Sequence, residues 1–386
     1  MQTMELIAPC HFGLESVLKK EIYDLGYDVS EVTDGRVTFR GDAEAVVRAN
    51  IGLRTAERVL LKAGSFRATT FEELFQGTKD IAWEAYLPRD AKFFVTKASS
   101  VKSALFSPSD IQSVMKKAMV DRMGAHYRLT HFPEDGASYP VRVFLYKDEV
   151  TAAIDTTGPS LHKRGYRKMQ LAAPIAENLA AALLLLTPWK ADRILADPFC
   201  GSGTFLIEAA MMARRIAPGL RRTFTAELWE DLVPRALWKE VRAEAEEETD
   251  RSVKTDIQGF DKDPQMIEAA RHCAKEAGVE DLIHFQVRDV ADFSHRKRYG
   301  FLITNPPYGE RIGEEEELFT LYRTLGERFF ALDDWSMYVI TSYADAQKAI
   351  GKKAPKNRKL YNGMIRTYFY QYPGRPPAKR RSQESI

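Results

Sequence analysis

Short apolar runs and amphipathic stretches alternate along the start of the chain. An apolar run at residues 4–8 is followed by a stretch with apolar side chains at helical spacing. Two strand-like runs then flank the turn dipeptide Asp34-Gly35, and one further helix and strand follow. The resulting order, βαββαβ, is typical of a ferredoxin-like α+β domain. We expect such a domain over residues 1–65.

A second group of elements occupies residues 66–157. The sequence KFFVTKA at 92–98 and two runs at 141–146 and 150–155 have the composition and spacing of strands. A stretch that begins near Ser109 carries apolar positions at helical spacing. These elements predict a second, separate α+β module.

The pattern changes after the turn-forming sequence at 157–160. From there to Tyr372, apolar strands alternate with helices, as in a parallel doubly wound sheet. We therefore expect a Rossmann-like α/β domain over residues 158–375. The stretch 218–256 interrupts this alternation with amphipathic helical sequence, and the tail at 376–386 is expected to be disordered.

The composition is that of an ordinary globular protein. Hydrophobic residues make up 45% and charged residues 28%, which excludes collagen, coiled coils and wholly disordered chains. The formal charge is only +2, so any surface that binds nucleic acid must be local. The longest apolar run, at 179–186, is too short for a membrane span, and no secretory signal is evident. Three scattered cysteines argue against a disulfide scaffold or a structural zinc site, and they favour a cytoplasmic location.

The most informative segment is DPFCGSGT, which begins at Asp197. An apolar strand ends in this acid, a turn containing Gly201 and Gly203 follows, and a helix begins. In doubly wound sheets, ligands bind at the carboxyl ends of strands, where helix N-terminal amides offer donors. A nicotinamide dinucleotide site requires a third glycine and an acid about 20 residues later. Here Leu206 replaces that glycine and the next strand-end acid is the distant Asp261, so this alternative is a minor one.

Two further strands of the same region also end in acids. Asp261, in GFDKD, can accept hydrogen bonds from both hydroxyls of a nucleoside ribose. Asp289, after the next strand, can accept from the exocyclic amine of an adenine. Asp263 instead precedes Pro264 and fits a helix N-cap. Three successive strands that end in acids indicate a nucleoside ligand at one edge of the sheet.

The fourth strand ends in Asn305-Pro306-Pro307-Tyr308. The prolines stiffen the chain and remove two amide donors, which leaves the Asn305 side-chain oxygen and a backbone carbonyl as acceptors. Both acceptors can point at one planar amino group. Tyr308 offers a ring on which a flipped base can stack. The motif therefore predicts a site that holds an amine of a nucleobase.

In this order, the motifs DPFCGSGT, GFDKD, RD and NPPYGER resemble those of S-adenosylmethionine-dependent methyltransferases that act on amino groups. The sequence LHKRGYR at 161–167, which runs into AAPIAENLAAALLL, is similar to RNA guanine-N2 methyltransferases with an N-terminal THUMP domain. IAW at 81–83 and SPSDIQ at 107–112 resemble THUMP itself. The resemblance covers residues 3–372 and is closest to bacterial proteins related to the 23S ribosomal RNA guanine-N2 methyltransferase. It implies a class I methyltransferase domain preceded by ferredoxin-like and THUMP domains.

The resemblance also implies a role for each motif residue. The cofactor would be S-adenosylmethionine, and no metal would be needed. The residues expected to bind this cofactor are Asp197, Phe199, Gly201 and Gly203 around its methionine part, Asp261 at its ribose, Asp289 at its adenine, and Asn305. The residues expected to hold and orient the target amine are Asn305, Pro306, Pro307 and Tyr308.

RNA is the expected partner, ribosomal in preference to transfer RNA, and neither a membrane nor a protein partner is implied. Base flipping needs phosphate anchors near the catalytic face, and local basic clusters are the candidates for them. The candidate RNA-binding residues are Lys97, Lys102, Lys163, Arg164, Arg167 and Lys168.

The expected activity is methyl transfer to the exocyclic N2 amine of a guanine in 23S ribosomal RNA. The amine-holding motif by itself equally allows N6 of adenine or a protein glutamine, and only the resemblance favours guanine. The alternatives are a transfer RNA guanine-N2 methyltransferase, a DNA adenine-N6 or protein glutamine methyltransferase, and a non-catalytic RNA-binding factor in ribosome assembly.

Overall fold

The fold is defined by a computed structural model that describes residues 3–167, 175–308, 315–363 and 365–377. Most of the tail predicted at 376–386 therefore lies outside the described residues. The chain divides into two units. Unit 1 comprises Met1–Cys10, Leu18–Leu161 and Pro218–Glu247, and unit 2 comprises His11–Val17, His162–Ala217 and Glu248–Ile386.

The first elements of the chain confirm the βαββαβ order predicted for the ferredoxin-like part. They are β1 (Met4–Pro9), α1 (Glu15–Asp24), β2 (Val29–Thr33), β3 (Arg36–Gly41), α2 (Ala43–Gly52) and β4 (Leu60–Arg67). The turn between β2 and β3 is formed by Asp34-Gly35, and Gly35 adopts the positive φ that such a turn needs. Asp42 caps α2 by accepting a hydrogen bond from the amide of Ala45.

The second group of elements is also present. It consists of α3 (Phe71–Asp80), β5 (Lys92–Val101), α4 (Pro108–Tyr127), β6 (Ser138–Tyr146) and β7 (Glu149–Asp155). The two groups share one seven-stranded sheet, with the order β2-β3-β1-β4-β7-β6-β5. Strand β4 joins them, because Leu60 pairs with Ile7 on one side and with Asp155 on the other. Sequence periodicity does not report strand partners, so this continuity was not predicted.

The segment that interrupts the alternation of the second half belongs to unit 1. Its helix α7 (Arg235–Glu247) packs on α2. Upstream of this helix, the ring of Trp229 stacks on Tyr139, with ring centroids 4.6 Å apart, and its indole N–H donates to the carbonyl of Ser138. Thr157, in the segment predicted as a linker, is buried and donates to the side-chain oxygen of Asn50. Both segments are therefore integral parts of this unit.

Unit 2 contains the second sheet, with the strand order β10-β9-β8-β11-β12-β14-β13. The strands are β8 (Leu195–Asp197), β9 (Ile257–Asp261), β10 (Ile283–Val287), β11 (Phe301–Thr304), β12 (Ser336–Thr341), β13 (Lys356–Asn362) and β14 (Ile365–Tyr372). The five strands β8, β9, β10, β11 and β12 are parallel to one another, whereas β14 is antiparallel to both of its neighbours, β12 and β13. The chain winds outward in both directions from β8, so the position between β8 and β11 is a topological switch point.

The helices of unit 2 are α5 (Glu177–Leu185), α6 (Thr204–Ala213), α8 (Pro264–Ala277), α9 (Glu315–Phe330) and α10 (Ala346–Ile350). Two apolar clusters form the core. One contains side chains of α5, α6 and α8, and the other contains side chains of α9, α10 and the adjoining strands. The predicted Rossmann-like α/β domain is thus confirmed. None of the described helices is long and apolar enough to cross a membrane.

Candidate active site

The glycine-rich turn lies between β8 and α6, at the switch point of the second sheet. Asp197, the last residue of β8, is 2% exposed. Its Oδ1 accepts from the backbone amide of Phe199 at 3.0 Å and from the hydroxyl of Thr304 at 2.6 Å. Gly201 and Gly203 have φ values of +51° and +78°, which L side chains rarely adopt. The turn therefore depends on glycine at both positions.

Burial raises the pKa of Asp197 to about 7, and the nearby carboxylate of Asp261 adds to this shift. Hydrogen bonds from Thr304 and from the amide of Phe199 act in the opposite direction. A buried carboxylate with such a pKa is stabilised in its ionised form by any cationic group that approaches it. The ammonium of an amino acid is one such group.

Asp261, the last residue of β9, connects the glycine-rich turn to the next loop. Its Oδ2 accepts from the amide of Gly201 at 3.1 Å, and its Oδ1 accepts from the amide of Asp263 at 3.0 Å. Burial raises the pKa of Asp261, and the two amides partly offset this effect. Each carboxylate oxygen keeps a lone pair after these bonds, so Asp261 can still accept from two ligand hydroxyls.

The other two acids differ in their roles. Asp263 caps α8 as predicted, because its side chain accepts from the amide of Gln265 at 2.8 Å and Pro264 begins the helix. Asp289 is exposed, and its Oδ1 accepts from the amide of Ala291 at 2.8 Å. Asp289 therefore caps a short turn, and its Oδ2 is the atom that can face a ligand.

Asn305 follows β11, directly after the Thr304 that binds Asp197. Its side-chain oxygen accepts a hydrogen bond from the phenol of Tyr308. The sequence predicted that this oxygen is free to accept from an amine, whereas in the structure Tyr308 occupies it. Tyr308 is half-buried and also hydrogen-bonds the side chain of Asn362, and burial raises the pKa of its phenol to about 12.

Burial of Pro306 and a hydrogen bond to Pro307 fix the backbone of this loop. Pro306 is buried, and the carbonyl of Pro307 accepts from the phenol of Tyr322 at 3.1 Å. Tyr322 lies on α9 and is itself 2.6 Å from the hydroxyl of Thr341, at the end of β12. The loop that carries Asn305 is therefore fixed by two further elements of the sheet domain. Residues 309–311, the end of the NPPYGER motif, lie outside the described residues.

The predicted RNA-binding residues fall into three groups. Lys97, Lys102 and Lys163 are exposed, as phosphate anchors must be. Lys168 lies outside the described residues. The two arginines between these lysines are engaged within unit 2.

Arg164 corrects the prediction. Its side chain is 1% exposed and lies 3.4 Å from Glu208, which also accepts from the phenol of Tyr166. A guanidinium buried against a carboxylate cannot reach a phosphate on the surface. Arg167 is half-buried, donates to the hydroxyl of Thr204 at 2.7 Å and lies 3.4 Å from Glu177. It supports the start of α6 behind the glycine-rich turn, so it too is no surface anchor.

The supporting residues Thr304, Tyr322, Thr341 and Asn362 were missed by sequence reasoning. Thr304 left a weak signal, since it is a polar residue at the end of an otherwise apolar strand. Tyr322 lies at a core position of an amphipathic helix and cannot be told from a packing residue by its spacing. Among the described residues, no three His, Cys, Asp or Glu side chains come together as a potential metal site.

Three models of known domains match the chain. They are the RlmL ferredoxin-like domain at residues 5–60, the THUMP domain at 68–155 and the RMKL-like methyltransferase domain at 164–371. The third match alone covers more than half of the chain. It contains the candidate residues at the ends of β8, β9, β10 and β11.

Curated relatives of two different lengths match the chain. "Putative RNA methyltransferase YpsC" of Bacillus subtilis is 44% identical, and the match covers 100% of both chains. "Ribosomal RNA large subunit methyltransferase K/L" of Pseudomonas paraeruginosa is 34% identical over 94% of this chain. That match covers 51% of the relative, so the chain spans about half the length of the K/L proteins.

Solved structures are similar over nearly the whole chain. "SMU.472, a putative methyltransferase complexed with SAH" is 44% identical, with a TM-score of 0.91 over 97% of this chain and 99% of that chain. A "predicted N6-adenine-specific DNA methylase" from Listeria monocytogenes is 47% identical, with a TM-score of 0.91 over 97% of both chains. Taken with the domain matches and the strand-end site, these likenesses establish that the chain belongs to the RMKL-like methyltransferase family, in the form that carries an RlmL ferredoxin-like domain and a THUMP domain.

Proposed function

We propose that this methyltransferase transfers a methyl group from S-adenosylmethionine to the exocyclic N2 amine of a guanine in RNA, with 23S ribosomal RNA as the substrate. The observation that carries the proposal is the position of Asn305. It follows Thr304, whose hydroxyl binds the Asp197 carboxylate at 2.6 Å, so the amine-holding loop is anchored to the glycine-rich turn. Cofactor and target base can therefore meet at one switch point.

The residues present fit the cofactor. S-adenosylmethionine, when bound, supplies a methyl group on a positively charged sulfur. Asp197 is a buried acid whose pKa is raised to about 7, and such a group favours a ligand that carries an ammonium. A side chain at Gly201 would meet nothing within 4 Å, so a ligand can approach this backbone closely. We assign Asp197, Phe199, Gly201 and Gly203 to the methionine part, Asp261 to the ribose hydroxyls and Asp289 to the adenine.

The target amine is held by acceptors on the loop after β11. A guanine amine is a poor nucleophile because its lone pair is delocalised into the ring. The side-chain oxygen of Asn305 and the carbonyl of Pro306 accept its two hydrogens, turn them out of the ring plane and so localise the lone pair. Pro307 keeps the loop rigid, and the ring of Tyr308 stacks on the base. The rate gain then comes from positioning and from acceptors fixed before the reaction.

The same loop must rearrange before an amine can bind. In the structure the phenol of Tyr308 donates to Asn305, so the entering base has to displace this hydrogen bond. Tyr308 then turns from a hydrogen-bond donor into a stacking partner. The bond between the Pro307 carbonyl and Tyr322 keeps the backbone in place during this exchange.

The relatives favour ribosomal RNA as the substrate, and the motif resemblance to guanine-N2 methyltransferases favours guanine over adenine. The K/L proteins are named as large-subunit ribosomal RNA methyltransferases, and the THUMP domain indicates RNA. We assign residues 1–65 to a ferredoxin-like domain, 66–157 to a THUMP domain that binds RNA and 158–375 to the methyltransferase. We place this reaction in the cytoplasm, in line with the bacterial ribosomal RNA methyltransferases to which the chain is similar. The similar structure described as an adenine-specific DNA methylase supports a second candidate, methylation of adenine N6.

A methyl-transfer assay followed by nucleoside analysis tests this proposal. The purified protein is incubated with a tritiated methyl donor and, in parallel, with ribosomal RNA, transfer RNA and DNA from cells that lack the gene. We expect label in ribosomal RNA, and mass spectrometry should identify it as N2-methylguanosine. The Asn305→Ala variant serves as the catalytic control. Label only in N6-methyladenine would refute the guanine assignment, and the absence of label in every nucleic acid would refute the proposed activity.

A further inference from the structure

A groove of about 380 Å³ lies on the sheet of unit 1, far along the chain from the catalytic motifs. It extends between the β2–β3 hairpin of the ferredoxin-like part and the ends of two THUMP strands. Its main lining residues are Pro9, Arg36, Ser99, Val101, Phe144 and Tyr146. The strand pairing brings them together, because Pro9 lies opposite Arg36, Ser99 opposite Phe144, and Val101 opposite Tyr146.

The floor of the groove is aromatic and firmly supported. Phe144 packs on a small buried cluster of Ile7, Leu60 and Ala153, which belong to three different strands. Toward one end the lining becomes exposed: Tyr146 is 38% and Val101 53% accessible. Flat apolar rings at an accessible position on a sheet are the usual platform for unstacked nucleobases.

Arg36 adds a second flat surface above this floor. Its guanidinium carbon lies 5.3 Å from the centre of the Phe144 ring, and its Nε donates to the hydroxyl of Thr33 at 2.8 Å. These two contacts hold the guanidinium plane in place. A planar cation fixed in this way stacks on a base and is attracted to phosphate.

Two lysines lie at the exposed end of the groove, each directly after a lining residue in the sequence. Lys102 follows Val101, Lys147 follows Tyr146, and both lysines are exposed. The amide of Lys147 donates to the carbonyl of Val101 at 3.2 Å, which fixes the two strand ends side by side. Asp148, the next residue, has its Oδ1 engaged by the amide of Ala104. The two lysines therefore leave neighbouring strand ends, and the ammonium of Lys147 lies 5.2 Å from the centre of the Tyr146 ring.

Both lysines adopt an unfavourable backbone conformation. The φ of Lys102 is +53° and that of Lys147 is +52°, in the left-handed region where glycine or asparagine is favoured. Lys147 and Asp148 form the two-residue turn between β6 and β7, at which Asn-Gly would be the unstrained choice. Backbone strain at two neighbouring lysines of one groove points to a function for their side chains.

We propose that this groove binds one unpaired nucleotide of the substrate RNA, distinct from the nucleotide that is methylated. The base stacks on the guanidinium of Arg36, which the Phe144 ring supports from below, and its phosphate is held by Lys102 and Lys147. The acidic side chain of Asp34 lines the opposite end of the groove, so the phosphate lies at the lysine end. The inference rests on the proposed RNA substrate and adds a single-strand requirement to it.

The test measures binding of the full-length protein to a fluorescent ten-nucleotide single-stranded RNA and to the same sequence in a duplex. The variants are Lys102→Asn, Lys147→Asn and Phe144→Leu. Lys239→Asn, on helix α7 and outside the groove, is the control for loss of one charge. We expect each groove variant to weaken single-strand binding about 3- to 10-fold, because each removes one phosphate or stacking contact. The two lysine variants should also melt at the same temperature as the wild type or higher, since asparagine relieves the strain.

Three results would overturn the inference. One is unchanged single-strand affinity in the groove variants. Another is an equal loss on duplex RNA, which would indicate only a diffuse positive surface. The third is an equal loss in Lys239→Asn. Affinity for S-adenosylhomocysteine and methyl transfer by the wild type are measured in parallel. Failure of the groove prediction with intact transfer refutes the groove alone, whereas absent transfer refutes the proposed function.

Discussion

Tyr308 donates its phenolic hydrogen to the side-chain oxygen of Asn305, three residues earlier in the chain. This oxygen is the atom that the amine-holding mechanism needs as an acceptor. The acceptor is therefore satisfied within the protein, as half-buried polar groups usually are. In the proposed mechanism, binding of a base exchanges this internal hydrogen bond for one to the substrate, and the selectivity for a base with an exocyclic amine can arise from that exchange.

The first prediction concerns this pair. Asn305→Ala should reduce methyl transfer by about 100-fold or more, because the lost acceptor acts on the substrate as the reaction proceeds. Asn305 is also among the residues expected near the cofactor, but affinity for S-adenosylhomocysteine, measured by calorimetry, should fall far less than methyl transfer. Tyr308→Ala should lose stacking worth about 1–3 kcal/mol, and Tyr308→Phe should lose less, since it keeps the ring and frees the amide oxygen.

The matched control is Tyr23→Ala, which removes an exposed tyrosine from α1, outside the site. Full activity of Asn305→Ala would rule out the amine-holding mechanism. An equal loss in Tyr308→Phe and in Tyr308→Ala would show that the hydroxyl, and not the ring, carries the effect.

The second prediction uses the pKa of Asp197, which burial raises from its ordinary value of 3.8 to about 7. Between these two values the folded state binds a proton that the unfolded chain has lost. The stability contributed by protonation is therefore lost as the pH rises from about 4 through 7. Asp197→Asn keeps an acceptor for Thr304 and cannot ionise. Without ligand, it should be more stable than the wild type at pH 8 by about 1–3 kcal/mol.

Urea unfolding at pH 4 and pH 8 measures this difference, which should nearly vanish at the lower pH. The exposed acid Asp192 provides a control, since Asp192→Asn should change stability little at either pH. A wild type that is as stable at pH 8 as Asp197→Asn would contradict the raised pKa.

The third prediction separates the two acids assigned to the nucleoside. Asp261→Ala should weaken binding of S-adenosylhomocysteine by about 1–3 kcal/mol, because ligand hydroxyls lose their acceptor and the amide of Gly201 loses its partner. Asp289→Ala should cost less, since this acid is exposed and also caps a turn. Isothermal calorimetry decides between them. Binding of NADH with no binding of S-adenosylhomocysteine would refute the cofactor assignment.

The sequence predicted the strand ends well, because their chemistry and their secondary structure coincide in short segments. Asp197 and Asp261 end apolar strands and Asn305 follows one, and parallel strands bring their carboxyl ends to one edge. Thr304 and Tyr322, which hold these residues, could not be assigned. Their partners are 107 and 15 positions away in the chain, and no local pattern encodes such contacts.

The exposure of the basic residues was predicted less well than the positions of the strand ends. Arg164 lies in a run of basic residues that looked exposed, yet it is buried against Glu208, 44 positions later. The pattern around Glu208 reads as an apolar helix and gives no hint that its carboxylate needs a partner. The same limit explains why β4 was not expected to join two modules, since strand pairing depends on partners that composition does not reveal.

The fourth prediction follows from this buried pair. Arg164→Ala should destabilise the protein by about 3–5 kcal/mol, because it leaves the Glu208 carboxylate buried without its charge partner. The neighbouring exposed Lys163 is the matched comparison. Lys163→Ala should leave the melting temperature nearly unchanged and weaken RNA binding in a salt-dependent way. Thermal melts and RNA titrations at two salt concentrations test both. A stable Arg164→Ala variant with weakened RNA binding would restore Arg164 as a phosphate anchor.

The last prediction concerns how the methyltransferase unit can be isolated. Trp229 stacks on Tyr139, and α7 packs on α2, so the insertion at Pro218–Glu247 buries its apolar side chains within unit 1. A truncated chain that begins at residue 162 and keeps this insertion would expose them to water. Such a chain should bind a hydrophobic dye and aggregate.

A second truncation, in which a flexible linker replaces the insertion, should behave better. The amide of Asp250 donates to the carbonyl of Arg214 at 2.8 Å, so both cut ends lie near one point. A linker of about eight Gly and Ser residues, with a mean reach of about 16 Å, can join them. Both truncations equally lack His11–Val17, which belongs to unit 2, so they differ only in the insertion. Size-exclusion chromatography with saturating S-adenosylhomocysteine should give a monomer only for the linker variant. If both truncations are equally soluble and bind ligand equally, the insertion does not depend on unit 1 for its burial.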